Sequence, residues 1–310
     1  MLTRVAVIAL NAYREAVRAR ILHGLLGLAL ATAGYALVVG AYAHRSRMRV
    51  VSDLGAASIS LYAIAVAVVL GATSLYRELE LKTIFPILAR PIRRAEYLVG
   101  KLGGTVLTLA VFVGMNGGAL LLAIGVLDGR SPSLVAGGLL ALFVLLGLAA
   151  WKRPRSRTYL PIVAAVALAA FGYFLAAGAP DDRRVVAGSA LLTLCEVLVV
   201  ASLATLFSSF SSPFLTAVFT VSVFVVGRSA DSLAKLPERM FGSVIHDAGA
   251  LLAKVVPNLM WYVPPRALLT GEAAGESLGT HVLLSASYAA CWAVALLTVA
   301  ALVFKRRDFM

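Results

Sequence analysis

The stretch Leu98-Val99-Gly100-Lys101-Leu102-Gly103-Gly104-Thr105-Val106-Leu107-Thr108-Leu109-Ala110-Val111-Phe112-Val113-Gly114-Met115-Asn116-Gly117-Gly118-Ala119-Leu120-Leu121-Leu122-Ala123-Ile124-Gly125-Val126-Leu127 decides the fold. Beyond Lys101 it carries no charge until Asp128. A helix of about 20 apolar residues crosses the roughly 30 Å hydrocarbon layer, so this one is long enough to tilt or to begin among the headgroups. Moving outward, comparable apolar spans fall near residues 21–43, 55–76, 133–150, 158–178, 185–207, 214–228 and 281–304, with charges between them. The expected fold is therefore an all-α integral membrane protein. It is a polytopic helical bundle of about six to eight transmembrane helices in one domain, residues 1–310, without internal repeat or low-complexity linker.

Composition agrees with this reading. Of 310 residues, 61% are hydrophobic and 14% charged, against roughly 45–50% and 25% in soluble domains; mean hydropathy is +0.91. The net charge of +13 does not mark a nucleic-acid binder, because the Lys and Arg cap apolar spans instead of forming a basic domain with interleaved aromatics. Cys195 and Cys291 lie inside apolar spans with no Cys-x-x-Cys or Cys/His cluster, so they read as small core residues. No metal site is expected.

Residues 1–20 form a charged amphipathic leader with Arg4, Arg14, Glu15, Arg18 and Arg20. It is long for a signal n-region, contains an acid, and leads into an apolar run reaching Ala43, so it reads as retained helix. Eight spans place both termini on one side. With the termini inside, the inner segments hold 17 of the 28 Lys and Arg, which the positive-inside rule favours; His44-Arg45-Ser46-Arg47-Met48-Arg49 is the main violation. The expected location is a bacterial cytoplasmic (inner) membrane, with cytoplasmic N- and C-termini. Residues 229–280 are then extracytoplasmic. Between Glu238 and Val256, apolar residues at helical spacing predict an amphipathic helix lying along the interface, ended by Pro257 and followed by the irregular Pro264-Pro265 connection.

The stretch from Arg77 to Lys101 carries the mechanistic signal. Leu81, Ile84, Phe85 and Leu88 make an i, i+3, i+4, i+7 stripe bordered by Arg77, Glu78, Glu80, Lys82, Arg90, Arg93 and Arg94. Thr83 can cap a short helix that tolerates Pro86 in its first turn, and Pro91 ends it. The product is a short rigid helix across the inner membrane surface. Read from periodicity, it serves either as a docking edge for a partner or as a plain amphipathic loop helix with headgroup-binding arginines.

The pattern Arg-Glu-x-Glu-x-Lys-Thr, Leu-Ala-Arg-Pro-Ile-x-Arg and Tyr-Leu-x-Gly-Lys resembles the cytoplasmic coupling-helix region of ABC-2 type transporter permeases, the group containing the NosY-like and many export permeases. The leader Asn11 to Arg20, with Tyr13, Arg14, Glu15 and Arg18, looks like that family's N-terminal connecting helix. Leu206 to Pro213 and Val256 to Leu259 are similar to segments late in such permeases. The resemblance implies a permease subunit paired with a second copy, as homodimer or heterodimer, and with ABC ATPase subunits that bind ATP and Mg. It assigns ATPase coupling to Arg77, Glu78, Glu80, Lys82, Thr83, Phe85, Leu88, Arg90, Arg93 and Arg94 in the 77–97 loop. The chain has no Gly-x-x-x-x-Gly-Lys-[Ser/Thr], so ATP hydrolysis is expected elsewhere, with no cofactor in this chain. Such permeases commonly have six spans. The eight counted here include two beyond that pattern, joined by the turn Trp151 to Arg157.

Inside the spans, Gly100, Gly104, Gly114 and Gly118 share one face and predict close helix packing, and Asn116 is expected to bond a neighbouring helix. Glu196, mid-span, costs roughly 2.5 kcal/mol or more unless satisfied. It lines a substrate path or makes a protonated or paired helix-helix contact. Asp128, Arg228, Asp231, His246, Asp247 and Lys254 read as solvated. Competing functions are an ion-gradient carrier, which ought to show repeats and midplane ionisable groups, and a membrane anchor in a multiprotein assembly. An intramembrane enzyme lacks any recognisable motif.

Overall fold

The computed structural model describes residues 2–43, 46–80, 93–237, 242–272, 275 and 277–306, with side chains for all of these except 2, 20, 21, 74–80, 154–156 and 304–306. Among the described residues there is no strand. The N-terminal α1 (Leu2–Val17) and α2 (Arg20–Tyr42) lead into α3 (Arg47–Glu80), α4 (Arg94–Leu127) and α5 (Pro132–Lys152). Then come α6 (Leu160–Leu175), α7 (Pro180–Ser208) and α8 (Pro213–Arg228). The short helices α9 (Ala230–Ala234), α10 (Ser243–Val255) and α11 (Arg266–Thr270) precede α12 (Leu278–Arg306).

Seven of the described helices, α2 to α7 and α12, are long and apolar enough to cross a membrane, α6 with its flanking 3-10 turns. The chain is a polytopic all-α membrane protein. Local chemistry sets the helix ends. Proline in the first turn opens α5, α7 and α8, where its missing N–H costs no intrahelical bond. Gly271, at φ 85°, closes α11 in the left-handed region.

The eighth expected span is shorter than a crossing. α8 has 16 residues, about 24 Å at 1.5 Å per residue, against about 30 Å of hydrocarbon. Two other boundaries also move. α3 begins at Arg47, so the basic run at residues 44–49 partly forms its first turn, and α4 begins at Arg94. The expected 77–97 loop is thus helical at both described ends; residues 81–92, with Lys82, Thr83, Phe85, Leu88 and Arg90, lie outside the described residues, as do the side chains of Arg77, Glu78 and Glu80.

α3, α4 and α7 form the buried centre. α3 lies along α7, α4 touches both, and α2, α6 and α12 pack around them. The glycine face of α4 accepts two different helices. Gly100 and Gly104 receive α1, where a Cβ on Gly104 would collide with the Ala9 carbonyl, and Gly118 receives α6, where a Cβ would lie 2.7 Å from the Ala169 nitrogen. Backbones that close gain dispersion contact along their length. α6 is therefore integral to the bundle. Its neighbour α5 is peripheral, with Leu140, Phe143, Leu145 and Trp151 exposed and Val135 its sole buried residue.

The expected interfacial helix is α10, whose Val244, Ile245, Leu251, Leu252 and Val255 form an exposed apolar stripe. Its opposite side packs on α9, with Gly249 against Leu233 and Leu236.

Candidate functional site

Glu196 lies about 16 Å along α7 from Val185, where the apolar part of that helix begins. That is close to mid-membrane depth, and the side chain is 1% exposed. Its partner is Arg228, the last residue of α8. The guanidinium grips both carboxylate oxygens along one edge, Nε donating to Oε1 at 2.8 Å and Nη2 to Oε2 at 2.9 Å. Ser60 of α3 completes the group, its Oγ accepting from Arg228 Nη2 at 3.2 Å and donating to Glu196 Oε2 at 3.3 Å. A bidentate Arg–carboxylate pair is the geometry that can offset desolvation of two charges. The stop of α8 at Arg228 puts the cation at the helix C-terminus, where the helix dipole also favours it.

Thus of the two readings of Glu196, the paired contact is observed, and Arg228 is corrected from solvated to ion-paired. Asn116 does not join this group. It is buried on α4 and its Nδ2 donates to the Phe112 carbonyl at 2.9 Å, within its own helix, in place of the expected interhelical bond. Its Oδ1 is buried without a partner.

A second network ties the end of the bundle where α7 begins. Arg266 of α11 donates Nη2 to Asp182 Oδ1 at 2.6 Å, and Nη1 to Ser52 Oγ at 3.2 Å and to Asp53. Ser52 donates to the same Asp182 oxygen at 2.7 Å, and Arg49 lies 3.8 Å from Asp53. Burial acts to lower the Arg266 pKa, but the bond to Asp182 and the charges of Asp53 and Asp182 outweigh it and hold the guanidinium above its usual range. Arg184 Nη1 adds a bond to the Thr270 carbonyl at 3.1 Å. α3, α7 and α11 are thereby fastened together.

Between the two networks lies a cavity of about 680 Å³, bounded by α3, α7, the end of α8 and the segment from Met260 to Leu269. Ala56, Leu61, Ile64, Phe224 and Val263 make its apolar wall; Ser60, Arg228 and Tyr262 face it from the Glu196 side, and Asp53 and Arg266 from the other. The segment carrying Leu259 and Tyr262 packs into the core beside α7 and α8, held by a bond from the Asn258 backbone N–H to the Tyr288 hydroxyl at 2.9 Å. Irregular backbone at such depth persists only where protein or a cavity covers it.

The residues to which the resemblance gives coupling and connecting roles lie, as far as they are described, at the opposite end. Ile8 of α1 packs against Tyr97 and Leu98 at the foot of α4, together with Leu297 and Ala300 of α12. Arg93 is the exposed N-cap of α4, and Arg94 is its half-buried first residue. Tyr13 is fully buried against Val111 and Ala165, and burial pushes its phenol up to about 12. Arg14 Nη2 donates to the Tyr159 hydroxyl at 2.6 Å. Glu15 and Arg18 are exposed and line, with Arg14, Leu70, Thr73 and Thr105, a second cavity of about 690 Å³.

Sequence reasoning missed Ser60, Arg228, Asp182, Arg266 and Tyr262. A signal for Arg228 existed: a lone intramembrane acid demands a basic partner, and Arg228 ends an apolar run too short to span. Among known proteins, no family model matches the chain and no curated protein does so.

Proposed function

We propose that this chain is the membrane-spanning permease subunit of an ABC-2 type ATP-binding cassette transporter, driven by a separate ATPase subunit that binds ATP and Mg. The observation that carries the reading is the seating of α1. It lies along the first half of α4, with Ile8 on Tyr97 and Gly100, beside Arg93 and Arg94 where the chain returns from residues 81–92. A partner docking on residues 77–94 would push directly on α4 and, through it, on α6 and α7, which α4 packs against. In this reading the chain is not itself an enzyme. It pairs with a second permease copy in the inner membrane, with both termini cytoplasmic, and exports or extracts a substrate.

The test is a mild-detergent pull-down of tagged protein from its native host, with mass spectrometry and an ATPase assay of what copurifies. A Walker-type ATPase should be recovered, and Glu78→Lys with Glu80→Lys should uncouple its ATP hydrolysis from transport while the protein stays inserted. Reproducible absence of an ATPase would sink the reading.

One observation favours a second reading, a gradient-driven carrier. α8 stops short of a full crossing, beside an ionisable pair, as broken helices do in such carriers. Transport that follows an ion gradient without an ATPase partner would select it; an anchoring role would show neither dependence.

A further inference from the structure

We propose that the cavity between α3, α7, the end of α8 and the Met260–Leu269 segment is a binding site for an uncharged amphiphile whose head carries an acyl oxygen. This inference stands whether or not the chain works with an ATPase. At about 680 Å³ the space falls in the range of roughly 300–1,000 Å³ that holds small organic ligands. Most of its surface is apolar, contributed by Leu61, Ile64, Phe224 and Val263 among others, which suits a hydrocarbon chain.

The polar side of the cavity has donors to spare. Arg228 spends Nε and Nη2 on Glu196 and Ser60, which leaves both N–H groups of Nη1 without a protein acceptor. Tyr262 also lines the cavity, but only with its ring side, since its hydroxyl is buried away from the open space. Facing the open space, the Nη1 group can donate to a ligand oxygen without giving up its bonds to Glu196 and Ser60.

Charge decides the class of ligand. Arg228 is paired with Glu196, and Arg266 with Asp53 and Asp182, so neither cation lining the cavity is left without a carboxylate. An anion placed on Arg228 would sit beside the buried Glu196 carboxylate and either repel it or displace it, leaving a charge uncompensated. An ester or amide oxygen takes the free N–H donors without that penalty. Such a molecule reaches the site either as a glyceride of the bilayer or as a hydrophobic solute from the aqueous side.

The test uses the full chain in phosphatidylcholine nanodiscs and a diazirine-bearing monoacylglycerol as photolabel. Label should map to Leu61, Met260 and Val263, and unlabelled monolaurin should compete at least tenfold better than laurate. Tyr262→Phe, which removes only a hydroxyl sealed from the cavity, should leave competition unchanged; a loss of about tenfold in that variant would overturn the placement of the polar head on Arg228. Ala57→Phe should fill the space and abolish labelling there while thermal stability is kept. Labelling unchanged by Ala57→Phe would overturn the site, and laurate competing as well as monolaurin would overturn the uncharged class. A glyceride retained through purification and seen by native mass spectrometry assigns the bilayer as source; monolaurin competition without any retained glyceride assigns a solute.

Discussion

Glu196 and Arg228 depend on each other more than either contributes to stability. With Glu196 fully buried and Arg228 one quarter exposed, removing one partner strands the other charge in a medium that solvates it poorly. Breaking a buried pair in this way costs roughly 3–5 kcal/mol, whereas replacing both members by apolar residues of similar volume is often neutral or stabilising. Glu196→Ala is therefore expected to lower thermal stability in detergent by that order, and Arg228→Leu to do much the same. The double variant Glu196→Leu with Arg228→Leu should recover most of the loss. Thermal unfolding of the three variants against the parent checks this, and a double variant no better than the singles would show that the pair holds α8 in place by more than charge neutralisation. Ser60, bonded to both partners, fixes the orientation of the fork, so its loss should be the mildest of the set.

At the scale of elements, the shared glycine face of α4 decides which helices it carries. Gly104 and Gly103 are neighbours in sequence but not in environment. A Cβ at Gly104 meets the Ala9 carbonyl and the Ala12 side chain, whereas one at Gly103 finds only Ala9 Cβ at 3.5 Å, an ordinary contact. Gly104→Val should thus force α1 off α4 at a cost of about 1–3 kcal/mol, typical of overpacking, and open the half-buried Arg14 to trypsin. Gly103→Val should change neither stability nor cleavage; equal cleavage of the two variants would mean that α1 is not held by this seam. The glycine face was legible because its period is that of the helix, and the long spans because apolar runs of that length have few other uses. The Ser60 contact to the Glu196–Arg228 pair, the descent of residues 256–262 into the core and the Arg266 network were not. Each rests on contacts between residues far apart in sequence, such as Ser52 with Asp182 and Arg266, and periodicity carries no information about those. The expected solvation of Arg228 failed for this reason: its exposure is set by Glu196, 32 residues earlier.

For the whole molecule, seven span-length helices alone would leave the termini on opposite sides, yet the packing returns the chain once more. α7 ends and α8 begins at Ser208–Pro213, and Arg266 and Thr270 are then bound to the start of α7 at Asp182 and Arg184. Between residues 213 and 266 the backbone therefore changes ends, although α8 itself is too short to cross. α12 runs back, and its Ala300 meets Tyr97, against which Ile8 of α1 also packs, so both ends of the chain lie at one end of the bundle. By the positive-inside rule, the distribution of Lys and Arg along the sequence predicts the cytoplasmic side for that end. Single cysteines placed in a background with Cys195→Ala and Cys291→Ser test the orientation with a membrane-impermeant maleimide. Ser133→Cys at the start of α5 and Ser232→Cys in α9, both exposed positions, should be labelled in intact cells, and Thr3→Cys only after permeabilisation. The reverse pattern would put residues 77–97 outside, out of reach of any cytoplasmic ATPase. The permease reading would then fall, while the amphiphile cavity, defined by packing alone, would stand and open toward the cytoplasmic half of the membrane.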